Sequence, residues 1–186
     1  MVKLKDYEIV DLILGKQKES TVGAANIGYH FKSIPEKLQK ALRTYVNKGG
    51  DLLVSGQYVA SDLTGDRSSQ ADKDFAVQVL GINPGEPEKV RNPRIQMSPE
   101  SGAHPRGFTY NNTLNERTYI VENPDMLVPI GDAVLYMDFD DNGQGAAVAR
   151  SEGNSRTITM SIPFESINNA QDRIALLKNI LTYFKQ

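Results

Sequence analysis

The chain has 186 residues, 39% of them hydrophobic and 24% charged, which is the composition of an ordinary globular protein and the length of one domain. Its 21 basic and 23 acidic residues leave a net charge of -2, so the sequence carries no electrostatic footprint for nucleic acid or an anionic membrane. The absence of cysteine excludes disulfides, thiolate metal sites and a cysteine nucleophile together.

The opening Met1-Val2-Lys3-Leu4-Lys5-Asp6 has no apolar core of a signal peptide, and no run approaches the roughly 20 apolar residues of a membrane span. Residues 7–14 (Tyr-Glu-Ile-Val-Asp-Leu-Ile-Leu) are apolar and short, a strand or a helical turn. Gly15 to Tyr29 is polar and glycine-rich and reads as a loop; its glycines match neither nucleotide-binding fingerprint, G-x-G-x-x-G or G-x-x-x-x-G-K-[ST]. Ser33-Ile34-Pro35-Glu36 has the spacing of a capping box, and Leu38, Leu42, Tyr45 and Val46 follow at helical intervals up to Lys48-Gly49-Gly50. The run Asp51-Leu52-Leu53-Val54-Ser55-Gly56 then reads as a buried parallel strand, completing half of a βαβ unit. Ligands of such sheets bind beyond the carboxyl ends of the strands, which places a site on Ser55 to Asp62.

Ser69 to Leu80 reads as a second helix ended by Gly81. Residues 82–117 hold several prolines and glycines and little periodicity, an irregular insertion with one or two strands. The last third reads as a meander: strands at 133–139, 145–150 and 156–162, joined through Asp140-Asp141-Asn142-Gly143 and Glu152-Gly153-Asn154, then a helix over 170–184. The turn Asp138-Phe139-Asp140-Asp141-Asn142-Gly143 has the first half of a calcium loop, but Ala149 stands where the bidentate glutamate belongs, so a hairpin turn is the better reading and no metal is expected.

Two stretches carry a family resemblance. Leu42 to Gly56 (Leu-Arg-Thr-Tyr-Val-Asn-Lys-Gly-Gly-Asp-Leu-Leu-Val-Ser-Gly) resembles a segment of class I glutamine amidotransferase-like domains, and the same stretch occurs in trimerisation domains of some β-galactosidases. Ala146-Ala147-Val148, Ser161-Ile162-Pro163-Phe164-Glu165-Ser166 and Gln171-Asp172-Arg173 resemble the form of that domain found in Bacteroides-type proteins labelled xanthan lyase. The likeness covers roughly residues 35–80 and 130–186. It implies an α/β, flavodoxin-like three-layer fold with a mostly parallel sheet, a C-terminal β-meander and a last helix, all in one domain over 1–186. It also implies a larger, exported bacterial protein concerned with polysaccharide, periplasmic or extracellular, with neighbouring domains and carbohydrate as partners and no cofactor.

The residues depart from that family where its chemistry lies. The family's cysteine is missing, and Pro163 stands two residues before Glu165, where the family has histidine. The expectation is therefore a non-catalytic amidotransferase-like module. The alternative is a divergent hydrolase or transferase with a substituted nucleophile. That alternative would use Ser55, His104 and Glu165 as its catalytic group, with Gln57, Tyr58 and Asp62 binding ligand. Ser55 lacks the flanking glycines of a G-x-S-x-G elbow, His104 lies in a loop, and His30, the other histidine, sits between Tyr29 and Phe31 where packing explains it. Asp62 and Asp66 with Arg67 would be a carboxylate pair for glycoside chemistry, although charged loop residues are more commonly solvated.

Overall fold

In the computed structural model, residues 3–18, 20–22 and 29–186 are described. Residues 19 and 23–28 of the expected Gly15–Tyr29 loop lie outside them. In chain order the elements are β1 (Ile9–Gly15), β2 (Ser20–Val22), β3 (Tyr29–Phe31), α1 (Glu36–Val46), β4 (Asp51–Gly56), α2 (Ser61–Thr64) and α3 (Gln70–Phe75), which runs on as a wider turn, Ala76–Leu80. There follow β5 (Ile82–Pro84), β6 (Arg94–Met97), β7 (Gly107–Thr109), β8 (Leu127–Pro129), β9 (Val134–Phe139), β10 (Gly145–Glu152), β11 (Ser155–Met160) and α4 (Ala170–Phe184).

Seven strands form one sheet in the order β1-β4-β11-β10-β9-β6-β7. Only β1–β4 and β4–β11 pair in parallel; β11–β10, β10–β9, β9–β6 and β6–β7 are antiparallel. This corrects the mostly parallel, flavodoxin-like sheet expected from the sequence. The helix–turn–strand pattern at 36–56 does build a parallel pair, because α1 returns the chain so that β4 lies beside β1. From β9 onward tight turns join the strands, and a tight turn can only make an antiparallel neighbour. Two strands inside the irregular 82–117 stretch, β6 and β7, extend the sheet in the same antiparallel sense.

The sheet is buried on both faces, and the strand alternation decides which side chain goes where. Leu52 and Val54 of β4 pack with Leu42, Tyr45 and Val46 of α1 and with Phe75, Val79 and Leu80. Leu53, between them, joins Ile158 and Met160 of β11 and Leu176, Ile180 and Phe184 of α4 on the other face. Every central position of β4 is apolar for that reason.

The helix starts are set by local chemistry. At α1 the expected capping box does not form: Pro35 is the N-cap residue, Ser33 Oγ donates to the Gln17 carbonyl at 3.2 Å, and the Ser33 N–H donates to Asp62. The box occurs instead at α3, where Ser69 Oγ accepts from the Asp72 N–H and the Asp72 carboxylate accepts from the Ser69 N–H at 2.7 Å. The turn between α1 and β4 requires both its glycines. Gly49 has φ 90°, and a Cβ on Gly50 would run into the ring of Tyr45.

Candidate functional site

The carboxyl ends of the two parallel pairs converge on Gly15, Gly56 and Met160, which is where an α/β sheet presents its ligand. Here the place is covered by the chain itself. Residues 117–126 cross the strand ends as a strap, fastened at successive points. The Tyr119 hydroxyl donates to Glu165 Oε1 beside Gly15. Lys16 pairs with Glu122 at 3.4 Å. The Asp125 N–H donates to the Gln57 carbonyl at 2.9 Å, and Asp125 Oδ2 accepts from the N–H groups of Ala60 and Ser61 at 2.8 Å each. Gly15 is in the left-handed region (φ 58°), and a Cβ there would stand 3.1 Å from the Tyr119 hydroxyl, so that residue must be glycine for the strap to close.

Under the strap lie Ser55 and Gln57, both fully buried. The Ser55 Oγ and Gln57 Oε1 have no hydrogen-bond partner among the described residues. Ser55 sits in the sheet between Ile13 and Met160, and Gln57 Nε2 donates to the Tyr58 hydroxyl at 2.9 Å. The Tyr58 ring in turn receives the Lys18 ammonium 5.0 Å from its centroid. Burial first, and then the neighbouring Glu165 carboxylate, push the Tyr119 hydroxyl pKa well up, so Tyr119 stays a hydrogen-bond donor. Burial likewise raises Asp125, against the opposing pull of the Ser61 and Ala60 N–H groups and of Lys18.

Glu165 projects from a short turn, Phe164–Ser166, between β11 and α4. One carboxylate oxygen takes the Tyr119 bond; the other, Oε2, is buried without a partner among the described residues. The same side chain lines a groove of about 580 Å³ between the strap and the start of α4. Arg117 and Thr118 form one wall, and Phe164, Asn168, Asn169, Gln171 and Arg173 the other. Asn169 is the N-cap of α4, accepting from the Asp172 N–H at 2.8 Å, and Arg173 donates to the Ile167 carbonyl.

The three residues expected as a catalytic group lie in different settings. Ser55 is enclosed in the sheet and Glu165 stands at the groove, while His104 is exposed and lines a separate groove with Tyr136, Asn179 and Tyr183. No hydrogen bond joins any two of them among the described residues. Of the expected ligand-binding residues, Gln57 and Tyr58 are joined, and Asp62 accepts from the Ser33 N–H at 3.0 Å, tying α2 to the start of α1. In the turn after β9, Asp141 accepts from the N–H groups of Arg91 and Asn92 and Asp140 from the Asn92 side chain, as loop anchors do. Among the described residues no cluster of three or more metal-ligating side chains is present. Sequence reading passed over Arg117, the last residue of the irregular 82–117 stretch, and Tyr119, just beyond it, because no element was expected there. The one signal there was the length of that stretch, which is characteristic of ordered functional loops.

No family model matches the sequence, and no curated protein matches it. The fold does have solved relatives. A β-galactosidase from the haloarchaeon Halorubrum lacusprofundi aligns with 100% of this chain and 23% of its own, at 12% identity and a TM-score of 0.58. One from Bacillus circulans sp. alkalophilus aligns with 97% of this chain and 23% of its own, at 12% identity and 0.57. A cytoplasmic protein from Salmonella typhimurium aligns with 97% of this chain and 72% of its own, at 13% identity and 0.53. At these identities the likeness is one of fold. The chain spans less than a quarter of the length of those two β-galactosidases, so its fold matches one part of each of them. These findings replace the glutamine amidotransferase-like family, and the amidotransferase-like module, expected from the sequence. Among the described residues no helix is long and apolar enough to cross a membrane.

Proposed function

We propose that this chain is a saccharide-binding domain of a larger carbohydrate-active protein, and that the groove beside Glu165 holds the sugar. The observation that carries the reading is the groove's chemistry. Saccharides are bound by planar polar side chains that engage pairs of hydroxyls, with an aromatic ring against the C–H face. Here a carboxylate, two guanidiniums and three carboxamides share one groove with the ring of Phe164. The Oε2 atom of Glu165 strengthens it. A buried carboxylate oxygen without a donor is unfavourable by about 1–3 kcal/mol, and a turn of the Glu165 side chain toward the groove it lines would give that oxygen a ligand hydroxyl as donor. The β-galactosidase fold relatives agree with a setting among carbohydrate-active domains. On this reading the other domains of such a protein carry any hydrolysis, and Ser55, enclosed beneath the strap, is a packing residue.

The test is a calorimetric titration with galactotetraose and with tetragalacturonate, on the native chain and on Glu165→Gln. Glutamine keeps an acceptor for Tyr119 and removes the charge. We expect millimolar or tighter binding of at least one of the two, weakened about tenfold by the substitution, the worth of one charge-assisted hydrogen bond. Binding of neither, or binding that Glu165→Gln leaves unchanged, overturns the reading.

A further inference from the structure

The groove is unbalanced in its hydrogen-bonding capacity, and the imbalance says what kind of saccharide fits. Its charged groups are the guanidiniums of Arg117 and Arg173 against one carboxylate, Glu165, which Tyr119 already engages; its carboxamides and the Thr118 hydroxyl both donate and accept, and one Asn168 N–H is taken by the Tyr110 carbonyl. Arg117 is exposed, and its guanidinium has no ion pair or hydrogen bond among the described residues. Arg173 uses one N–H on the Ile167 carbonyl and keeps the rest of its fork. The acidic residue of the first turn of α4, Asp172, is turned to Arg106, which it meets at 2.8 Å, and does not line the groove. Arg117 on the strap and Arg173 of α4 thus both line the groove, and Glu165 is the one acidic residue among the described residues that line it.

From this we infer that the sugar carries an acidic substituent, a uronate carboxylate or an ester sulfate, and that Arg117 and Arg173 clamp it while Glu165 takes hydroxyls further along. This rests on the saccharide-binding reading above and narrows it. Guanidinium binds carboxylate and sulfate through two parallel N–H···O bonds, a geometry that a neutral hydroxyl pair meets more weakly. A groove built for a neutral sugar would leave both guanidiniums with half their donors to water.

The experiment compares tetragalacturonate with its methyl ester, which keeps the backbone and removes the charge, and with inorganic sulfate as competitor. Each is titrated against the native chain, Arg117→Gln and Arg117→Lys. Arg117 is exposed on the strap and its side chain makes no hydrogen bond or ion pair among the described residues, so these variants test the groove and not the fold. We expect tetragalacturonate to bind about tenfold more tightly than its ester, Arg117→Gln to erase that difference, and Arg117→Lys to restore it in part. Raising the salt concentration should weaken the acid and leave the ester unaffected. If acid and ester bind equally, the acidic-substituent inference falls and the saccharide reading stands. If sulfate displaces tetragalacturonate at equal concentration, the groove is a general anion site and the inference falls. If no saccharide binds, both readings fall.

Discussion

Tyr45 holds the start of the sheet together. Its ring fills the space that Gly50 leaves open, and its hydroxyl donates to the Glu8 carbonyl at 2.7 Å and the Asp51 carbonyl at 3.1 Å, the residues that lead into β1 and open β4. Burial, and then the charge of Asp51, push its pKa from 10.0 to about 12, so the hydroxyl remains a donor at any ordinary pH. Tyr45→Phe should destabilise the chain by about 1 kcal/mol, the net worth of a hydrogen bond. Gly50→Ala should do worse, by roughly 2–3 kcal/mol, because the new methyl and the ring cannot occupy one place. Urea unfolding of both variants measures the order. Asp72 does a similar task between helices. Its carboxylate accepts from Lys32, from Gln39 at 2.6 Å and from the Ser69 N–H at 2.7 Å. Burial alone would raise its pKa, but these hydrogen bonds together outweigh it and bring the value from 3.8 to about 2. The unfolded chain therefore takes up the proton first as acid is added. The stability that Asp72 contributes is whole above pH 4 and drains away between pH 4 and pH 2. Asp72→Asn should lose roughly 3 kcal/mol at pH 7, through a charge left unpaired on Lys32, and should flatten that acid limb of the stability curve.

Among the elements, the four-residue helix α2 depends on a residue far off in sequence. Its first N–H groups are capped by Asp125 of the strap, and Asp125 also fixes the strap to the Gln57 carbonyl. Asp125→Ala should destabilise by about 1–2 kcal/mol, as the loss of an N-cap does, and amide exchange should quicken in both 57–64 and 117–126. Exchange that quickens at α2 alone would contradict the coupling. Elements of this kind mark the limit of what the sequence discloses. Helix α1, the buried run of β4, the last three strands and α4 stood out because each repeats an apolar spacing over a turn of helix or more, or over several strand residues. The sense of the sheet did not, because whether β11 lies beside β4 or at an edge is a long-range choice that no local pattern records. Strands β6 and β7 are four and three residues long and sit between prolines and glycines, too short for alternation to show. The site was half legible. Glu165 drew attention only through the amidotransferase-like resemblance that the fold relatives overturn, whereas its partner Tyr119 and the neighbouring Arg117 fall where no element was expected and are brought to it only by folding.

Taken as one body, the chain presents a mixed sheet whose usual ligand position is closed by its own strap, with a polar groove opened just outside, between the strap and α4. That displacement explains why Ser55 and Gln57 are sealed while Glu165 remains at a surface. It also agrees with the saccharide-binding reading proposed above. The direct test is a residue-resolved amide chemical-shift titration of the isotope-labelled chain with tetragalacturonate and galactotetraose. The account predicts shifts confined to residues 117–119 and 164–173, saturating together and with a midpoint about tenfold higher in Glu165→Gln. Shifts centred on His104 and Tyr183, or none at either groove, would contradict it.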